Sequence, residues 1–218
     1  MTKNLLDIYT GVKKNNSDRR QNDFYATPPL ATYVLHKYVY LPQKIVEPCA
    51  GRGNISIELL RNGYDVKSYD LHDYNDKLCN IVSGQDVLDL KRPEGYEGLI
   101  TNPPYFKDLP MKIMKKGIQE YDFTALFVRY TFLEGMKRYK VFTETPPSDI
   151  IFLSDRINFT ECYPEAIEKK EQIGGMIAYC WVIFNKYKRK QDLKWVLLKD
   201  EYSEWRQIYD EWLKENVS

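Results

Sequence analysis

The stretch KIVEPCAGRGNISIELLRNG, residues 44–63, constrains the fold more than any other part of this chain. Its first residues, Ile45 and Val46 above all, read as a buried strand. Gly51 and Gly53 then permit a tight turn, and ISIELLRNG carries helical spacing closed by Gly63. VKSYD follows as a second strand ending at Asp70. Two strands joined through a helix suggest a parallel pair in an open α/β sheet.

The rest of the chain extends that unit. TPPLATYVLHKYV has prolines at its start and apolar residues at helical spacing, and Thr27 is the expected N-cap. IVSGQDVLDL reads as a short strand and turn, and EGLITNPPY as a strand and turn. LPMKIMKKGIQEY has helical spacing that Gly117 weakens. FTALFVRYTFL reads as a long apolar strand; DIIFLS and MIAYCWVIFNK give two more. WRQIYDEWLKEN is an amphipathic helix whose Trp205 and Trp212 are expected to dock it on the sheet. Strands alternating with helices predict an open, mostly parallel α/β sheet with helices on both faces and a hairpin-like finish. Residues 1–23 are polar and aperiodic and read as a basic, flexible arm; 24–190 carry the main domain; 191–218 read as a helical extension on the same domain.

Composition excludes several classes. No apolar run is long enough for a transmembrane helix, and MTKNLLDIYTGVKKNN lacks the core of a secretory signal. Cys49, Cys79, Cys162 and Cys180 are scattered without a Cys-x-x-Cys, so neither a disulfide framework nor a zinc site is expected, and a cytoplasmic location is the simple reading. His36 and His72 lack a ligand-spaced partner; no metal is expected, and His36 is placed on a helix surface. Net charge is only +1, but Lys and Arg cluster near the N-terminus, between Lys107 and Lys140, and at Lys186–Lys190. A local basic face on a near-neutral protein fits contact with a polyanion.

Two sites carry chemistry. The glycine turn is not a P-loop, since no Gly-Lys-Ser/Thr follows, and the third glycine of a dinucleotide fingerprint is replaced by Ser56. Glu47, four positions before Gly51, calls for a cationic group near the turn. Asp70, at a strand end, can accept hydrogen bonds from both ribose hydroxyls of a nucleoside, and Asp86 can accept from an adenine amino group. Together they point to an adenosine-bearing cofactor with a positive centre.

Thr101-Asn102-Pro103-Pro104-Tyr105 is the second site. An exocyclic amine is a poor nucleophile because its lone pair is delocalised. Acceptors on both N–H bonds, such as the Asn102 side-chain oxygen and the Pro103 carbonyl, favour a pyramidal nitrogen aimed at a methyl donor. The prolines stiffen the turn and preorganise these acceptors, and Tyr105 can stack on the ring. No strong base is required, because the methylated nitrogen becomes acidic enough to lose its proton. Pro48-Cys49 is not placed as a cytosine-C5 nucleophile would be, since it lies in the glycine turn.

FYATPP (24–29), EPCAGRG (47–53), Asp70, Asp86 and NPPY (102–105) resemble the motif series of class I S-adenosylmethionine-dependent amino-methyltransferases. The closest likeness is to N6-adenine DNA methyltransferases, particularly small bacteriophage-encoded ones, and it covers about residues 24–187. The resemblance implies a Rossmann-like fold, with a mostly parallel seven-stranded sheet and an antiparallel last strand. It implies S-adenosyl-L-methionine as cofactor and S-adenosyl-L-homocysteine as product. Tyr25, Thr27 and Pro28 would line the methionine part; Glu47, Pro48, Cys49, Ala50, Gly51 and Gly53 would lie beside the methionine and adenosine; Asp70 and Leu71 would meet the ribose; Asp86 and Val87 would meet the adenine. Asn102, Pro103, Pro104 and Tyr105 would hold a flipped adenine, and Asn102 would also border the cofactor. Arg52 is larger than the usual residue there and could reach a phosphate. Residues 106–218 are needed to finish the sheet, so recognition would fall to the 155–177 loop, the Lys107–Lys116 segment and the basic arm, with low sequence specificity. RNA or protein glutamine as acceptor, and a silent protein that binds nucleic acid or a host factor, are the alternatives.

Overall fold

The computed structural model describes residues 26–75, 77–157 and 177–216. Tyr25, the expected N-terminal arm and nearly all of the expected 155–177 recognition loop lie outside them. One eight-stranded sheet organises the chain. Its strands are β1 (Lys44–Glu47), β2 (Asp65–Tyr69), β3 (Ile81–Val82), β4 (Gly98–Thr101), β5 (Phe123–Arg129), β6 (Asp149–Leu153), β7 (Tyr179–Asn185) and β8 (Asp192–Val196). The order across the sheet is β3-β2-β1-β4-β5-β7-β6-β8. All neighbours pair parallel except β7, which is antiparallel to both β5 and β6.

Both faces are covered, and the strand residues alternate between them. Ile45, Ile100, Phe127, Trp181 and Ile183 join α1 (Pro29–Tyr38), α2 (Asn54–Arg61) and α5 (Leu198–Asn216) in one core cluster. Val46, Leu99, Leu126, Val128, Cys180 and Val182 face the other way, with Ile113 and Met114 of α3 (Leu109–Glu120). Val141 and Phe142 of α4 (Met136–Glu144) pack against this second cluster. Strands buried on both sides read as continuous apolar runs, which is why β5 and β7 stood out in the sequence. Gly117, a weak point for helix propensity, has a packing reason. A Cβ there would lie 2.6 Å from Thr124 Cγ2, so glycine lets α3 approach β5 closely.

Several expectations are revised. The strand count is eight, because DLKWV forms the edge strand β8 inside the segment read as a helical extension. The strand expected last, β7, is inserted between β5 and β6. FTALFVRYTFL stays extended only to Arg129; Tyr130–Leu133 is a 3-10 turn. The last helix packs on α1 and α2 as well as over the core. Trp205 Nε1 donates to Glu58 at 3.2 Å, and the Arg61 guanidinium lies 4.6 Å from the Trp212 ring. Lys37 bridges Glu201 and Glu204, tying α1 to α5. His36, expected on a helix surface, is half-buried: Tyr33 and Tyr64 flank it, and burial pushes its pKa down to about 4.

Candidate active site

The sheet reverses its winding between β1 and β4. β2 and β3 extend from one side of β1, and β5 from the far side of β4. Ligands in open α/β sheets bind beyond the carboxyl ends of strands at such a switch point. Here those ends carry the glycine turn (after β1), Asp70 (after β2) and the Asn102–Tyr105 turn (after β4).

Glu47 ends β1 and is buried, opposite Ser68 of β2 in register. The Ser56 hydroxyl donates to its carboxyl, and the Ser56 and Ser68 hydroxyls lie 2.6 Å apart. Ser56 therefore explains the missing third glycine, since its side chain is bound to the acid that begins the turn. Burial pushes Glu47 up to about 8, and the Ser56 hydrogen bonds only partly oppose this. No cation among the described residues offsets that burial.

The turn is tightly made. Gly51 and Gly53 have φ of 58° and 92°, and the Gly53 N–H donates to the Ala50 carbonyl at 2.8 Å. Gly53 is constrained twice, because a Cβ there would lie 2.7 Å from Cys79 Sγ. Pro48 and Ala50 are buried, while Arg52 is half-buried. Asp70 clasps the turn: its carboxylate accepts from the Gly51 N–H at 2.7 Å and from the His72 N–H at 2.8 Å. Leu71 beside it is exposed. Asp86 accepts from the Leu88 N–H at 2.8 Å and so caps its own turn, with Val87 buried. Burial and the carboxylates of Asp70, Glu47 and Asp86 raise the Cys49 thiol, which places all four groups in one neighbourhood. A raised thiol stays protonated at neutral pH.

At the end of β4 the Asn102 amide is held from two sides. Its Nδ2 donates to Thr27 Oγ1 at 3.0 Å, and its Oδ1 accepts from the Tyr105 hydroxyl at 3.1 Å. The same hydroxyl reaches the Phe127 carbonyl at 3.1 Å. Thr27 is thus not the N-cap of α1, a place taken by Pro28. Its buried hydroxyl joins FYATPP to NPPY instead. The Arg129 guanidinium, at the end of β5, lies 4.5 Å from the centre of the Tyr105 ring and covers it on that side. From sequence Arg129 counted only within the basic cluster between Lys107 and Lys140; its place beside Tyr105, as the cation closing the apolar β5, was not foreseen. Pro103 is buried and Pro104 half-buried. Among the described residues, no group of three or more His, Cys, Asp or Glu could hold a metal ion, and no helix is long and apolar enough to cross a membrane.

No protein-family model matches the sequence, and no curated protein is similar to it. Solved structures are similar in shape. A Listeria monocytogenes protein classed among the class I S-adenosylmethionine-dependent methyltransferases aligns with TM-score 0.54 at 13% identity, over 88% of this chain and 73% of that one. A Pyrococcus horikoshii protein classed as an RNA methyltransferase gives TM-score 0.54 at 15% identity, over 79% and 91%. A Vibrio vulnificus protein classed as the modification subunit of a type I restriction enzyme gives 0.52 at 13% identity, over 88% of this chain but 54% of its own. With the β7 inversion and the switch point between β1 and β4, these likenesses establish that the chain has the Rossmann-like class I methyltransferase fold.

Proposed function

We propose that the protein transfers a methyl group from S-adenosylmethionine to N6 of an adenine in DNA. The observation that carries the reading is the Asn102 amide, locked by Thr27 and Tyr105 at the end of β4, across the switch point from the Glu47–Gly53 turn. Its oxygen is an oriented acceptor for one N–H of an amine, and the Pro103 carbonyl supplies a second.

The residues around the glycine turn fit the cofactor. Among the described residues the buried Glu47 carboxyl has no cation beside it, and S-adenosylmethionine carries both an ammonium and a sulfonium. Gly51 lets backbone approach a ligand, and Asp70, fixed by two backbone N–H groups, would accept from the ribose hydroxyls. The bound cofactor supplies an electrophilic methyl group. This chain's part is to align the acceptor nitrogen and exclude water, and the proton released after transfer passes to solvent. Taking the base out of its helix gives it access to Asn102.

The test is incubation with labelled S-adenosylmethionine and separate pools of duplex DNA, single-stranded DNA, RNA and protein, followed by mass spectrometry of the product. N6-methyladenine in DNA is expected. Asn102→Ala should lower transfer by about 10²–10³-fold, as loss of one oriented electrostatic donor or acceptor does, while cofactor affinity holds. Label only in RNA or protein, or wild-type transfer by the variant, would overturn the reading.

A further inference from the structure

Two residues beyond Tyr105, at the start of the Lys107–Lys116 segment that sequence assigned to recognition, the chain lines a groove outside the acceptor and cofactor motifs. It lies between the start of α3 and the start of α4, with a cavity of about 240 Å³. That is below the roughly 300–1,000 Å³ of pockets that enclose a whole cofactor-sized ligand, so its capacity is one planar group. Pro110, Met111, Phe132 and Met136 give it apolar walls. Lys107, Lys137 and Arg138 stand at the same groove, against the single acid Asp108.

Three features set this surface apart from ordinary solvated helix. Met136 of the groove is 92% exposed, and Phe106, one residue before the groove's first residue Lys107 and beside its ammonium, is 52% exposed, an unfavourable display of large apolar side chains unless something covers them. Lys107 has φ 49°, a left-handed backbone that a residue with a Cβ seldom adopts; its ammonium sits 4.9 Å from the centre of the Phe106 ring. Arg138 is fixed by the Thr131 and Glu134 carbonyls at 3.2 and 2.7 Å and by the Phe132 ring, so its charge is pre-placed. Lys137 meets Asp108 only through an exposed 3.5 Å pair, which holds it weakly.

We infer that this groove seats the nucleotide adjoining the target base on the same DNA strand. The inference rests on the reading of Asn102–Tyr105 as the acceptor site. The apolar walls suit the face of one base, and the cations suit the phosphates on either side of it. The cation excess complements a polyanion, and the groove's first lining residue, Lys107, lies two residues beyond Tyr105 in the chain. Stacking of this kind tolerates any base, so the contact contributes affinity with little sequence preference.

The experiment uses the full chain and a labelled single-stranded DNA oligonucleotide containing adenine. Binding is followed by anisotropy across a salt series, and cofactor binding by calorimetry. Phe106→Ala with Met136→Ser should weaken DNA binding by about tenfold or more, as loss of a stacking platform does. Lys107→Ala with Lys137→Ala should also make the dependence of log affinity on log salt shallower by about 1.4, two phosphates at about 0.7 each for a single strand. Cofactor affinity should not change. Tyr40→Ala, equally exposed but just before β1 at the opposite end of the strands, should bind DNA as wild type. Wild-type affinity and salt slope in both groove pairs would overturn the groove assignment alone. An RNA oligonucleotide bound through the groove, with DNA ignored, would overturn its occupant. Absence of cofactor binding would instead sink the wider functional reading.

Discussion

Thr27 separates two roles that the sequence could not. The resemblance places it beside the methionine part of the cofactor; the structure makes it the acceptor that orients Asn102. Thr27→Val keeps shape and volume but deletes the acceptor of a 3.0 Å hydrogen bond. A neutral hydrogen bond is worth about 1 kcal/mol net, and stranding a buried partner raises the loss to about 2. On the proposed function, the same free energy holds the Asn102 oxygen toward the acceptor amine. Without it the amide samples other rotamers, and an orientation preference of 1–2 kcal/mol corresponds to about 5–30-fold in rate. The assay is single-turnover methyl transfer at saturating cofactor and DNA, with cofactor affinity measured separately. A positioning residue lowers the rate and leaves affinity unchanged; a cofactor contact lowers affinity. Thr27→Ser retains the hydroxyl and should recover most of the rate. The valine variant should also melt lower by about 2–4 °C per kcal/mol lost, for a chain of this size. A serine variant as slow as the valine one, or a valine variant at the wild-type rate, would refute this account.

Two further predictions concern the cofactor side. Glu47 has a folded pKa near 8 against an unfolded value of 4.5, so between these values the folded state holds the extra proton. This contribution to the stability of the ligand-free protein therefore falls as pH rises from 4.5 to 8. A cationic ligand beside Glu47 favours the carboxylate, so binding at pH 7 should release a proton. Calorimetry in buffers of different ionisation enthalpy should detect that release, and Glu47→Gln should abolish it; an unchanged proton count in the variant would exclude Glu47. Gly53→Ala should destabilise the protein by about 2–4 kcal/mol, through its 92° φ and the 2.7 Å approach to Cys79. Cys79→Ala should recover the steric part in a denaturation double-mutant cycle, and strict additivity would contradict the contact.

Much of the candidate site's local geometry was legible because its parts are local. Gly51 and Gly53 need their turn wherever the helix goes, Asn102-Pro103-Pro104-Tyr105 is stiff by covalent structure, and acids at strand ends mark the ligand end of an α/β sheet. β8 was not legible. As an edge strand it shows Leu193 and Trp195 to solvent and lacks the alternation that burial on one face imposes. Ser56 looked like a missing glycine until β2 brought Ser68 beside it.

The sequence alone determined the parallel α/β class, the glycine turn and the two polar sites, because period, backbone freedom and side-chain type act within a few residues. Tertiary structure decided which residues meet: Thr27 with Asn102 across 75 positions, Tyr105 with Phe127 across 22, and Arg129 over the Tyr105 ring. Those pairings depend on strand order. β7 enters antiparallel between β5 and β6, and β1 lies beside β4, through sheet packing that no local pattern encodes.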